Sequence, residues 1–205
     1  MYYGEKFNAL THLAGAVLAL IGTVVLVVMA ARGGDPWKVV SVSIYGVTLV
    51  MLYSISALYH SLRGRAKNIL RKLDHHSIYL LIAGSYTPFC LVTLRGPWGW
   101  SLFGVVWGLA GLGSLQELRS GSGARILSLA IYVLMGWVAL VAMFQLLQAL
   151  GPPGFAWLVA GGLFYTTGIV FFVIDTRLTH AHGIWHLFVL AGSASHYVAI
   201  LRYVL

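Results

Sequence analysis

Seven stretches of at least 18 predominantly apolar residues follow one another along this chain of 205, and short polar or turn-forming segments separate them. They run over about Ala9–Ala31, Val39–Ser61, Ser77–Leu94, Trp98–Leu115, Ile126–Leu147, Phe155–Ile174 and His182–Leu205. As helices, each is long enough to cross roughly 30 Å of hydrocarbon. Composition agrees: 60% of residues are hydrophobic and only 9% charged, against roughly 25% charged in a soluble domain. The expected fold is an all-α integral membrane protein, a single seven-transmembrane helix bundle over residues 1–205, with no soluble domain and no linker long enough to hide one.

The breaks between the stretches carry turn chemistry. Gly33-Gly34-Asp35-Pro36, Arg95-Gly96-Pro97 and Gly151-Pro152-Pro153-Gly154 are breakers, and Trp37 is placed as an interfacial anchor. Pro88 falls inside the third stretch, where it removes a backbone donor and is expected to kink the helix. The N-terminal segment lacks the small-residue cleavage site of a signal peptide, and the apolar run after it is too long for a signal core. With seven crossings, the N-terminal side holds nine Lys/Arg, five of them between Arg63 and Lys72, and the opposite side holds four. Positively charged loops stay inside, so the N-terminus is expected in the cytoplasm and the C-terminus outside.

Charge also limits the partners. Formal net charge is +8, but the positives flank spans and are not interleaved with aromatics, so they suit anionic lipid headgroups and not nucleic acid. The single Cys90 excludes an intramolecular disulfide and a cysteine-rich metal site.

Ionisable groups at membrane depth are functional candidates. His182 and His186, four residues apart, lie one above the other on a helix at the start of the last span. Under the expected topology, His60 at the end of the second span and Asp74 before the third lie at the same membrane level. Three imidazoles plus a carboxylate or water suit a tetrahedral Zn²⁺ site; the alternative is four separate interfacial polar residues. Ser56 sits one turn deeper than His60 on the same face, so its hydroxyl points at the site or bonds back to its own helix. His75 and His76 point away from Asp74 around the helix, with His75 at most a spare ligand. His180 lies in a loop, and His196 reads as a hydrogen-bonded interior histidine. His12, with Glu5 and Asn8, either buttresses the site or caps the first helix.

The stretches Glu5-Lys-Phe-Asn-Ala-Leu-Thr-His12, Ser56-Ala-Leu-Tyr-His60, Leu73-Asp-His-His-Ser-Ile-Tyr-Leu-Leu-Ile-Ala-Gly-Ser-Tyr-Thr-Pro88 and His182-Gly-Ile-Trp-His186, continuing to His196-Tyr197, make the chain recognisable. It resembles the bacterial hemolysin III proteins, a branch of the progestin and adipoQ receptor family, over essentially its whole length. That family is in turn similar to the alkaline ceramidases, membrane hydrolases of lipid amides. The resemblance implies a seven-helix protein of the bacterial inner (plasma) membrane. It implies zinc near the cytoplasmic face on His60, His182 and His186, with Asp74 acting through a water. The long N-terminal region of the animal receptors is missing, so hormone recognition does not carry over.

Three functions follow. The first is a zinc-dependent intramembrane hydrolase of lipid amides or esters, serving membrane lipid homeostasis. In it zinc acidifies its water, Asp74 handles the proton and Ser56 hydrogen-bonds the developing oxyanion. The second is a lipid or fluidity sensor with structural zinc, and the third a lytic, pore-forming protein. No span carries a continuous polar stripe, which disfavours the pore.

Overall fold

The computed structural model describes residues 4–119 and 125–205. Among them every regular element is helical. The long helices are α1 (Lys6–Arg32), α2 (Pro36–Ser61), α3 (Gly64–Pro88), α4 (Pro97–Arg119), α5 (Arg125–Trp137), α6 (Met143–Val173) and α7 (Ala181–Tyr203). Leu, Val, Ile and Ala crowd their outward faces: Leu18, Ile21, Val47, Leu112 and Phe144 are all exposed. In water such surface would collapse or aggregate, whereas lipid accepts it.

Local chemistry places the breaks. After α1, Gly34 takes φ 72°, and the Asp35 carboxylate accepts from the Trp37 N–H at 2.9 Å to cap α2, with Pro36 at the first helical position. The basic stretch Arg63 to Lys72, expected as a loop, is instead helical: α3 starts at Gly64. Lys, Arg, Ala and Leu are good helix formers, so the helix extends beyond the apolar segment that follows. Pro88, expected to kink the helix, instead closes the α-helical segment, and the chain continues as a π-turn over Phe89–Thr93. Between α5 and α6 the helix tightens into a 3₁₀ turn over Val138–Ala142. The Tyr86 hydroxyl stitches that break, donating to the Gly136 carbonyl and accepting from the Ala139 N–H, each at 2.9 Å.

Five helical segments are long and apolar enough to cross a membrane: α1, α2, α4, α7 and the 48-residue run Ile126–Val173. The last is not straight. Gly151 adopts φ 66°, ψ 168°, outside the helical region. The Trp137 indole N–H donates to the Thr166 hydroxyl at 3.0 Å, although 29 residues separate them; a straight helix would hold them about 44 Å apart. The chain therefore folds back at the Gly-Pro-Pro-Gly segment. α3 falls short on apolarity because Arg65, Lys67, Arg71, Lys72 and Asp74 occupy its first turns.

Successive helices α1 to α4 pack side by side, α6 packs on α7, and α7 returns against α1 to close the ring, with α5 leaning on α3 and α4. The closure is tight at the start of α7. A Cβ on Gly183 would lie 2.1 Å from the Phe7 ring and 2.9 Å from the Asn8 side-chain oxygen, so only glycine lets the two helix ends meet. Tyr45, Tyr53, Leu26 and Ile200 fill the core between α1, α2 and α7.

Candidate metal centre

Two helices bring three imidazoles together. His60 comes from the last turn of α2, and His182 and His186 from the first turns of α7. One ring nitrogen from each lies within 4.8 Å of the other two. His60 and His186 are 2% and 0% exposed. The depth argument from sequence placed these three at one level, and the helices put them in contact.

The other ring nitrogens show which atoms remain. His60 Nδ1 lies 2.5 Å from Glu5 Oε2, His182 Nδ1 lies 2.8 Å from Asp175 Oδ2, and His186 Nδ1 lies 3.1 Å from the Asn8 carbonyl. A carboxylate or carbonyl can only accept, so each Nδ1 carries the proton. That leaves a lone pair on each Nε2. All three Nε2 atoms are buried and without a protein partner. Buried polar atoms are satisfied as a rule, so three orphaned lone pairs at one point fit a cation. Imidazole nitrogens whose second nitrogen is held by a carboxylate or carbonyl are the usual ligands of zinc. The residues present fit the ion, and His60, His182 and His186 can hold it.

Glu5 anchors this arrangement. Its Oε1 accepts from Lys67 Nζ at 2.7 Å and its Oε2 also accepts from Asn8 Nδ2 at 3.0 Å. Burial alone would raise its pKa, but the hydrogen bonds from His60 and Lys67 outweigh that and hold the carboxyl well below the usual range. It is an anion facing an imidazole.

Asp74 does not join the three-nitrogen group. It is 7% exposed, and the Ser56 side chain hydrogen-bonds to it. Both line a cavity of about 180 Å³. Of the two alternatives for Ser56, the hydroxyl thus faces the site. The cavity wall is otherwise mostly Leu, Ile, Val, Phe and Trp, and it follows α3 from Asp74 into the π-turn at Cys90, about 24 Å at helical rise.

The remaining histidines separate. His75 pairs with Glu117 at 2.6 Å, outside the group. His180 is exposed at the start of α7, in a left-handed conformation. His196 bonds the Leu158 carbonyl at 3.2 Å inside the bundle. His12 does not cap α1, whose N-cap is Glu5; its ring stacks on His186 with centroids 3.5 Å apart. Sequence reasoning missed Asp175, Lys67 and Thr11, whose hydroxyl lies 3.2 Å from His186 Nδ1. Asp175 lies seven residues before His182 across an irregular turn, and no periodicity marks that spacing.

The chain is similar to known proteins over nearly its whole length. A family profile described as "Haemolysin-III related" matches residues 2–197. A "Hemolysin-3" of Bacillus cereus is 42% identical over 202 residues, covering 98% of this chain and 92% of the relative. A "Hemolysin-3 homolog" of Bacillus subtilis (strain 168) is 39% identical, over 97% and 93% of the two chains. A human "Monocyte to macrophage differentiation factor" is 30% identical, over 98% of this chain and 84% of its own.

Proposed function

This chain belongs to the haemolysin-III related family, and we propose that it is a zinc-dependent hydrolase that cleaves lipid amides or esters within the membrane and serves lipid homeostasis. The observation that carries this reading is the convergence of three buried, unpartnered imidazole nitrogens beside a Ser56–Asp74 pair that opens on a long apolar cavity. The multi-pass bundle is read as seven crossings, with α3 counted from Ser77 and Ile126–Val173 crossing twice about Gly151. The N-terminus is placed in the cytoplasm and the protein in the bacterial plasma membrane.

A zinc ion held by His60, His182 and His186 supplies a Lewis acid and an acidic water. The protein's own groups do the rest. The cavity receives an acyl chain and excludes bulk water. Asp74 takes a proton from water as it adds to the carbonyl carbon; the protonated carboxyl releases the Ser56 hydroxyl, which then donates its hydrogen bond to the oxygen that becomes negative. When the C–N or C–O bond breaks, Asp74 returns the proton to the leaving amine or alcohol, and a fatty acid remains.

The test is purification without chelator, then metal analysis and fatty-acid release from N-acyl and O-acyl lipids. Bound zinc with release that stops on chelation supports the reading. Bound zinc and lipid without any release would replace hydrolysis by a sensing role, and no zinc at all would overturn the site. A reporter fused after Leu205 should read as extracytoplasmic and one in Arg63–Lys72 as cytoplasmic; the reverse result overturns the orientation.

A further inference from the structure

Each of the other buried imidazoles described above has one ring nitrogen paired with oxygen: His60 with Glu5, His182 with Asp175, His186 with Asn8 and His196 with Leu158. His12 differs. It is 2% exposed, and neither Nδ1 nor Nε2 has a partner. A neutral imidazole carries one donor and one acceptor, so His12 forfeits both. Its surroundings show where they are aimed. One face of the ring stacks on His186, 10° from parallel, and Tyr53 meets it edge-on at 5.0 Å. His12 also lines the apolar cavity, at the end that holds Ser56 and Asp74. Those two are already bonded to each other. His12 therefore stands between the three metal-site histidines and the lipid-sized space, and it is the group there with unused hydrogen-bonding capacity on both nitrogens.

We propose that His12 anchors the polar end of the lipid that occupies this cavity. The ring offers one donor and one acceptor on divergent edges, and the nitrogen that faces the cavity can bond an uncharged head that donates or accepts, such as a hydroxyl or an amide. Among the described residues no Lys or Arg lines the cavity, so they offer a phosphate head no counter-charge. The stacking fixes the ring plane, so the head is held beside Ser56 and Asp74 while the chain extends along α3. His12 is thus a positioning residue: it sets which bond of the lipid lies against the site. The proposal rests on the reading that the cavity holds a lipid, and it stands whether or not turnover occurs.

The experiment uses full-length protein in detergent, zinc-loaded and chelated, titrated with 9,10-dibromostearyl alcohol and with 9,10-dibromooctadecane. Bromine quenches tryptophan on contact, and Trp137 and Trp185 line the cavity. The wild type should bind the alcohol at least tenfold more tightly than the alkane. His12→Phe keeps the stacked ring and should lose that preference, with alkane binding within twofold of wild type and zinc content unchanged. His12→Gln, which restores a donor and an acceptor, should recover most of it. His12→Leu replaces the Phe variant if that one does not fold. Equal alcohol affinity in wild type and the apolar variant overturns the proposal. So does a parallel loss of both probes, which would make His12 a packing residue, and so does loss of zinc from the apolar variant. Failure of the wild type to bind either probe instead overturns the lipid reading of the cavity.

Discussion

Two assemblies at the N-terminal end of the bundle use the same parts to different ends. In one, His60, His182 and His186 each hold an acceptor on Nδ1 and turn a bare Nε2 inward. In the other, His75 Nδ1 meets Glu117 Oε1, Ser128 donates to Glu117 Oε2 at 2.7 Å, and the Tyr132 hydroxyl donates to the His75 carbonyl at 3.1 Å. Both contain a carboxylate–imidazole pair, and both tie several helices together. The second has a single imidazole, with its side chain 39% exposed. It links α3 to α4 and α5 and leaves nothing converging. A carboxylate on a histidine is therefore no mark of a metal site in itself; several imidazoles aimed at one buried point are.

The comparison breaks most directly on metal content. Wild type should purify with about one zinc ion per chain, as a three-imidazole site allows. The triple variant of His60, His182 and His186 to Ala should hold none, and each single variant should lose both zinc and thermal stability, because the ion joins the ends of helices. His75→Ala should keep its zinc; if it does not, the two assemblies are not distinct. Next in size is Asp74→Asn. It should retain zinc while fatty-acid release falls by at least about a hundredfold, the lower end for a lost acid–base group. A helix-capping Asp74 would instead leave the Asn variant active, since Asn caps as well.

Glu5→Gln sharpens the contrast at a smaller scale. Removing the charge behind His60 should weaken zinc binding about tenfold to a hundredfold, the range for groups that orient a ligand, as read by competition with a chelating dye. Asp175→Asn should behave alike through His182. The smallest effect is expected for Glu117→Gln: unchanged zinc affinity and a loss of about 1 kcal/mol or less in thermal unfolding, as for a partly exposed ion pair. A metal defect there would join the two assemblies through Asp74.

Much of this was legible before any contact was known. Helix period and bilayer thickness predicted an all-helical membrane bundle, in which five segments are long and apolar enough to cross, and His60, His182 and His186, expected at one level, do meet. The Gly-Pro-Pro-Gly break is where the chain turns back, and at Pro88, where a kink was expected, the α-helix gives way to the π-turn. What could not be read depends on irregular backbone or on contact between distant segments. The basic stretch looked like a loop because charge marks the membrane border but not the end of a helix. Asp175 reaches His182 through a turn whose path no residue pattern specifies. Glu5 and Asn8 were noticed, but their tasks depend on α1 meeting α7, some 175 residues away in sequence. The cavity has no sequence signal, because its lining residues are the same Leu, Ile and Phe that face lipid.

That meeting of the first and last helices also imposes an order of events on synthesis. Phe7 and Asn8 close over Gly183, and Asn8 holds the ring of His186. Of the three imidazoles, two emerge from the ribosome only with α7. A nascent chain halted before residue 182 has one of them and lacks the surface that orders its own N-terminus. The three imidazoles can therefore meet only after α7 has been made and has packed against α1. Until then the six earlier helices lack the element that joins α6 to α1, and the ring of helices stays open at that seam.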